Sequence, residues 1–228
     1  MKRYIKLFCI LILSFLLSAK PLTISNEYFL VKTDSLSPSM TYIYKGETVE
    51  GLKDSTLLIF TNPEAYYQKH DSIYFKDYMT LRELYDLYPH AASLNYFYED
   101  HTESPYKNKK YISLKHTHFA FTGGAHPNTT SQHWIINRKT GEIISNNDLF
   151  VQNATEKIKV LTDSALKLKF QNNNLENILF STDYEVSKDI YLTKRGVIFQ
   201  YDPYEIAAYV YGTIEIFIPF KKLRSVLR

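Results

Sequence analysis

Short apolar stretches bounded by turn residues recur along the first part of the chain and predict strands. Their β-branched and aromatic residues favour the pleated, half-buried surface of a sheet, and the stretches cover residues 28–32, 40–44 and 56–60. A loop at 35–39 separates the first two stretches, and Asn62-Pro63 ends the third. We therefore expect a small β-rich region at the start of the chain.

The pattern becomes helical at Thr80, where apolar residues follow at helical spacing. Leu81, Leu84 and Tyr88 fall on one side of such a helix. Thr80 is a suitable N-cap, and Pro89 stops the helix because proline cannot continue its hydrogen bonds. The sequence thus predicts a short helix of about two turns before the next strands.

The middle of the chain predicts an antiparallel meander. Residues 93–98 and 110–121 are two strands joined by the polar loop 99–109, and residues 131–137 return as a third strand. Between the last two strands lies the corner 122–127, which reads Thr-Gly-Gly-Ala-His-Pro. Its glycines permit a sharp backbone turn, so the corner is expected inside the meander.

An amphipathic helix is predicted after the meander. Asn153 caps it and Glu156 completes an arrangement resembling a capping box. Apolar residues then recur at alternating spacings of four and three, which forms one stripe suited to packing on a core: Ala154, Ile158, Leu161, Ala165 and Leu168. The triplet 172–174 of asparagines ends this helix.

The last part of the chain returns to β structure. Residues 189–193 and 197–201 form a hairpin around a turn at 194–196, and residues 213–219 form the closing strand. A second corner, Asp202-Pro203-Tyr204-Glu205, lies between them, and a short final helix is expected at 221–227. Strands joined by hairpins predict an α+β fold, an antiparallel sheet meander with one main amphipathic helix packed on it.

The N-terminus has the pattern of an export signal. Lys2, Arg3 and Lys6 precede the apolar run 7–17, and Ser18 and Ala19 are small residues suited to cleavage. The run is shorter than the roughly 20 residues of a membrane span, so membrane contact is expected only if the segment stays uncleaved. We divide the chain into a signal peptide at 1–19, a small α+β region at 20–90 and a domain at 91–228.

Once the signal peptide is set aside, the composition excludes a disulfide-bonded protein and a nucleic-acid-binding protein. The signal carries three of the 27 basic residues, none of the 24 acidic ones and the only cysteine, Cys9. The remaining chain is neutral and has no disulfide, and it has no basic stripe for nucleic acid. The 20 tyrosines favour half-buried strands, or alternatively a binding face of rigid amphipathic rings.

The two corners carry a resemblance to a known family. Residues 119–128, 136–141 and 148–150, followed by 201–207, Gly212 and 218–220, resemble the two signatures of the RsiV C-terminal-like domain family. The family comprises extracytoplasmic domains found in a lysozyme receptor and beside PdaC-type peptidoglycan deacetylases. The resemblance covers about 93–227, and the segment 20–90 is a candidate for a shortened PdaC-type partner domain. Phe121 and Ala208 depart from the tyrosine and proline that family members often have there.

Histidines supply the candidate chemistry. His126 follows Gly123 and Gly124. In a functional interpretation it contacts a ligand or acts as a general acid or base, and in a structural interpretation it bonds to the nearby backbone. His116 and His118 alternate on one strand and share a face, so with His126 they are weak metal candidates. No metal-binding motif supports them, and no cofactor is expected.

Two function hypotheses follow. The first is a non-catalytic, exported binding or sensing module, whose partner, as the resemblance implies, is a cell-wall glycan or an extracytoplasmic protein such as a lysozyme-like enzyme. The alternative is an envelope glycan hydrolase that uses His126 with Asp202 or Glu205, and no residue is assigned a catalytic role. The candidate binding residues are Gly123, Gly124, His126, Asn128, Trp134, Tyr201 and Tyr204.

Overall fold

The computed structural model describes residues 22–32, 39–89, 95–171 and 174–228. The predicted signal peptide 1–19 lies outside these residues, as do most of the loop 35–39 and the first two asparagines of 172–174. Among the residues that are described, no helix is long and apolar enough to cross a membrane.

A five-stranded sheet forms the first half of the fold. Its strands follow the chain in order: β1 (Thr23–Lys32), β2 (Ser39–Glu50), β3 (Asn95–Lys107), β4 (Tyr111–Phe121) and β5 (Asn128–Asn137). The predicted meander of β3, β4 and β5 is confirmed, because both neighbouring pairs are antiparallel. β1 and β2 also pair antiparallel, whereas β2 and β3 run parallel.

The parallel pair needs a crossover, and a long helix supplies it. Helix α1 spans Pro63–Leu87, and Asn62 caps it by accepting a hydrogen bond from the amide of Ala65. The prediction of a short helix capped by Thr80 is wrong, because the Thr80 hydroxyl donates to the Lys76 carbonyl inside α1. The predicted strand 56–60 is also wrong, since Ser55–Phe60 forms a 3₁₀ helix.

Strand β3 replaces most of the predicted loop 99–109. The polar residues of this segment continue the strand to Lys107, with a shift in register between Glu103 and Tyr106. A tight turn then leads into β4, because the Asn108 side chain accepts hydrogen bonds from the amides of Lys110 and Tyr111. Alternate residues in the middle of β3, Tyr98, Asp100 and Thr102, are buried.

A three-stranded antiparallel sheet forms the second half of the fold. Its strands are β6 (Ile190–Leu192), β7 (Gly196–Tyr201) and β8 (Ile214–Pro219), which confirms the predicted hairpin and closing strand. The remaining helices are α2 (Asn146–Leu149), α3 (Thr155–Lys169) and α4 (Phe220–Leu223), with 3₁₀ helices at Leu175–Asn177 and Tyr209–Tyr211.

The predicted amphipathic helix is α3, but its cap and part of its stripe differ. Asn153 has φ 67° and precedes the N-cap, Ala154, which has no capping side chain. Ile158 is buried as predicted, whereas Leu168 is 67 % exposed. Leu166 fills the core instead, because it follows Ile158 by eight residues and lies on the same face.

Two hydrophobic cores result from this arrangement. One lies under α1 and contains Tyr42, Tyr44 and Tyr98, while the other joins α3 to the three-stranded sheet. The α+β class with mainly antiparallel pairing is confirmed, and the long helix on the large sheet is α1. The pairing of β2 with β3 links regions 20–90 and 91–228 in one sheet, and the division between them stays a prediction.

The contrast between Leu166 and Leu168 gives a test of this packing. Leu166→Ala should lower the free energy of unfolding by about 2–5 kcal/mol, because it opens a cavity in the core. Leu168→Ala, the matched control on the same helix, should change it by about 0.5 kcal/mol or less. Urea unfolding of both variants measures the difference, and equal losses would contradict the placement of α3.

Candidate functional site

The first corner is a sharp connection between β4 and β5. Gly123 and Gly124 have φ 85° and 91°, values that residues with a side chain rarely adopt. A Cβ added to Gly124 would meet no atom within 4 Å, so its backbone conformation, rather than lack of space, requires glycine. The turn leaves His126 exposed, and the exposed Asn128 begins β5.

The second corner closes on itself through reciprocal hydrogen bonds. The Asp202 amide donates to the Glu205 carboxylate at 2.9 Å, and the Glu205 amide donates to the Asp202 carbonyl at 3.0 Å. Tyr204 lies at the tip with φ 70° and is 54 % exposed. The turn therefore projects this ring outward from the end of β7.

Two carboxylates, one in the second corner and one directly before β6, attach the second half of the fold to the first sheet. The Ser131 amide donates to both oxygens of Asp202 at 3.0 and 3.2 Å. The His133 amide donates to Asp189 at 3.0 Å, and His133 Nδ1 lies 2.8 Å from the second oxygen of Asp189. Because β5 is an edge strand, these carboxylates satisfy amides that would otherwise lack a neighbouring strand.

This attachment brings the rings of His126, Tyr204 and Tyr209 together, and we call them the aromatic corner. The His126 ring stacks on Tyr209 with centroids 3.9 Å apart, and the Tyr204 ring lies 5.6 Å from Tyr209. The Tyr209 hydroxyl donates to the Pro127 carbonyl at 2.9 Å. Val210, beside the cluster, is 82 % exposed, so the corner presents an apolar and aromatic surface to solvent.

The polar groups of the corner are engaged in local contacts. His126 Nδ1 lies 3.0 Å from the Pro127 carbonyl, and Nε2 lies 3.5 Å from the Tyr204 hydroxyl. Burial raises the pKa of Asp202 and of Glu205, yet both carboxylates accept the backbone hydrogen bonds described above. Among the described contacts, no hydrogen bond or ion pair joins His126 to either carboxylate.

Two of the candidate binding residues lie elsewhere. Tyr201 is buried, and its hydroxyl donates to the Glu185 carbonyl and accepts from the Ser187 amide. Trp134 packs edge-on against Phe60, with centroids 4.7 Å apart, on the α1 side of the sheet. The structure thus brings together Gly123, Gly124, His126, Asn128 and Tyr204 but separates them from Trp134 and Tyr201.

His116 and His118 share one face, as predicted, and their partner is Asp100. Both imidazoles approach the same carboxylate oxygen, His116 Nε2 at 3.1 Å and His118 Nδ1 at 2.9 Å. Thr102 Oγ1 lies 3.1 Å from the other nitrogen of His116. Sequence reasoning missed Asp100 because its segment was assigned to a loop, although the paired histidines signalled a polar cluster.

The charge of Asp100 depends on these two histidines. Its side chain is completely buried, and burial raises the pKa of its carboxyl, but the hydrogen bonds from His116 and His118 outweigh burial and hold the pKa well below the usual range. His126 belongs to the aromatic corner and does not join this cluster. Within the described ranges, no group of three or more His, Cys, Asp or Glu side chains is arranged to hold a metal ion.

Removal of the Asp100 charge should destabilise the fold. Asp100→Asn is expected to lower the free energy of unfolding by about 3 kcal/mol at pH 7, because the histidines lose a buried anionic partner. Since the pKa is depressed in the folded state, this difference should persist to about pH 5 and decline only below about pH 4. Urea unfolding across this range measures it, and a difference that is absent at pH 7 or gone by pH 5 would contradict the assignment.

Comparisons with known proteins identify one uncharacterised domain. Residues 147–221 match the family model described as "Protein of unknown function (DUF3298)". This range includes α3, the three-stranded sheet and the second corner. No curated protein sequence matches the chain.

Two solved structures share the fold of the chain. A DUF3298 family member from Bacteroides fragilis NCTC 9343 is similar with a TM-score of 0.76 and 18% identity, over 92% of this chain and 95% of the other. A DUF3298 family protein from Pseudomonas aeruginosa PAO1 is similar with a TM-score of 0.66 and 15% identity, over 92% and 96%. The chain therefore contains a DUF3298 domain at residues 147–221 and has the fold of solved DUF3298 proteins.

Proposed function

We propose that this protein is an exported, non-catalytic binding module whose aromatic corner contacts a cell-wall glycan. The observation that carries the proposal is the surface cluster of His126, Tyr204 and Tyr209, in which the exposed His126 ring stacks on the half-buried Tyr209 and the exposed Tyr204 ring lies beside them. Backbone turns and carboxylate contacts hold these rings in place. Ligand binding therefore costs little side-chain entropy.

The chemistry of the corner suits a sugar. Tyrosine and histidine offer a flat apolar ring face for the C–H side of a sugar, and polar atoms at the ring edge for its hydroxyls. Tyr204 is exposed, and Val210, which follows Tyr209 in the chain, adds exposed apolar surface beside the rings. Exposed apolar surface of this kind commonly marks a binding site on a soluble protein.

The sequence supports the compartment and the class of partner. A positive segment, an apolar run and small residues precede Lys20, as in an export signal. The resemblance of both corners to RsiV C-terminal-like domains favours a partner in the cell envelope. A wall-active protein such as a lysozyme-like enzyme is the second partner class that the resemblance favours.

The alternative of a glycan hydrolase has less support. A glycosidase needs an acid and a base or nucleophile on opposite sides of the scissile bond. Asp202 and Glu205 are instead engaged with backbone amides, and Asp202 also accepts a hydrogen bond from the Gln200 side chain. These contacts favour a contact surface over a catalytic pair.

Binding of soluble peptidoglycan fragments to the purified chain from Lys20 onward tests the proposal. Tyr204→Ala should weaken binding by about tenfold, which corresponds to the loss of one central aromatic contact. Tyr28→Ala is the matched control, because Tyr28 is 65 % exposed on β1. Isothermal titration calorimetry measures both affinities.

Equal affinity of the Tyr204→Ala variant and the unmodified protein would overturn the role of the corner. Failure of the unmodified protein to bind the fragments would overturn the glycan as ligand. If the unmodified protein binds a lysozyme and the Tyr204→Ala variant does not, the aromatic corner is still the binding surface, but its partner is a protein.

A further inference from the structure

A separate pocket opens between α1 and the large sheet. It has a volume of about 330 Å³, and its lining includes Tyr66, Tyr74 and Asp77 from α1, Tyr98 from β3 and His118 from β4. This volume is at the lower end of the range for small-molecule sites. None of its lining residues belongs to the aromatic corner, so the pocket is independent of the function proposed above.

His118 presents a hydrogen-bond acceptor to this pocket. Its Nδ1 lies 2.9 Å from the buried Asp100 carboxylate, and only a protonated nitrogen bonds favourably there. In the neutral imidazole, Nε2 then carries the lone pair. The His118 side chain is 36% exposed and lines the pocket, so Nε2 is available to a ligand that donates a hydrogen bond.

Asp77 supplies a second acceptor. Its carboxylate accepts a hydrogen bond from the Tyr98 hydroxyl at 2.7 Å, which fixes the side chain against the sheet. Tyr98 and Tyr74 pack with ring centroids 5.0 Å apart, so the wall beside the carboxylate is aromatic. A carboxylate beside tyrosine rings attracts a cation by charge and by the negative ring faces.

The charges around the pocket have one sign. Asp77 lines it and Asp100 lies behind His118, whereas the described lining contains no lysine or arginine. Burial raises the pKa of the Tyr66 and Tyr74 phenols, and the charge of the Asp100 carboxylate raises it further. Burial disfavours any charge there, but the negative charge of Asp100, which opposes a phenolate at these positions, favours a positive charge in the same space.

We propose that this pocket binds a small organic cation with a primary ammonium group. The ammonium donates hydrogen bonds to His118 Nε2 and to the Asp77 carboxylate, and the aliphatic part of the ligand contacts Tyr66 and Tyr74. An ammonium has three donors and no acceptor, which matches a pocket that offers acceptors and ring faces. An anion would instead meet the Asp77 carboxylate, and the described lining offers it no lysine or arginine.

The test compares three ligands of the same shape and different charge. The probes are n-butylammonium, n-butanol and butyrate, each titrated into the purified chain while ¹H–¹⁵N resonances of the histidine rings are followed. We expect n-butylammonium to shift the His118 Nε2 resonance with a millimolar Kd and to bind at least tenfold more tightly than butanol or butyrate. Asp77→Asn should weaken its binding at least fivefold.

The control variant is Asp86→Asn, which removes the same charge from an exposed position on α1 and should leave the affinity unchanged. His118→Gln is the second variant, and it should also weaken binding at least fivefold. Three results would overturn the proposal: butanol that binds as tightly as n-butylammonium, butyrate that binds more tightly, or no shift of the His118 resonance up to about 50 mM n-butylammonium. Equal losses in Asp77→Asn and Asp86→Asn would also overturn it, because the effect would then be one of net charge.

Discussion

The contact on which the arrangement depends is the pair of carboxylates at the edge of β5. An edge strand exposes amides that need partners, and here Asp202 and Asp189 accept hydrogen bonds from Ser131 and His133. The carboxylates precede β6 and follow β7, so both lie at the open end of this hairpin and fix the three-stranded sheet against the five-stranded one there. The Lys115–Glu215 ion pair at 3.1 Å adds a further contact between the two sheets.

The positions of both candidate sites depend on the packing of the two sheets. The aromatic corner forms because the second corner lies beside the first, so that Tyr209 stacks on His126 and the Tyr204 ring lies 6.4 Å from it. The pocket under α1 lies on the other face of the large sheet, where Asp100 is buried between His116 and His118. One site is thus an exposed surface of aromatic rings, and the other is a small cavity lined by tyrosines, histidines and a carboxylate.

The sequence predicted features that depend on local chemistry. The glycines of the first corner and the Asp-Pro-Tyr-Glu turn were recognised because each residue type has a local backbone role. Helix α1 was missed over most of its length because its tyrosines and charged residues give no clear apolar stripe. The first residues of β3 were predicted as a strand, but the strand from Glu99 onward was assigned to a loop because its buried residues Asp100 and Thr102 are polar. The partners of Asp100 and Thr102 lie on other segments of the chain, as do the two strands of the parallel pair β2 and β3, so neither leaves a signal in the local sequence.

The most direct test of this account is the nuclear Overhauser effect between the rings of His126 and Tyr209 in solution. The unmodified protein should show it, since the ring centroids are 3.9 Å apart. Asp202→Ala should abolish it while the fold is retained, because the second corner loses its attachment to β5. Asp183→Ala, which removes an exposed carboxylate of the same type, should leave it intact. An unchanged effect in Asp202→Ala would contradict the claim that the carboxylates at the β5 edge assemble the corner.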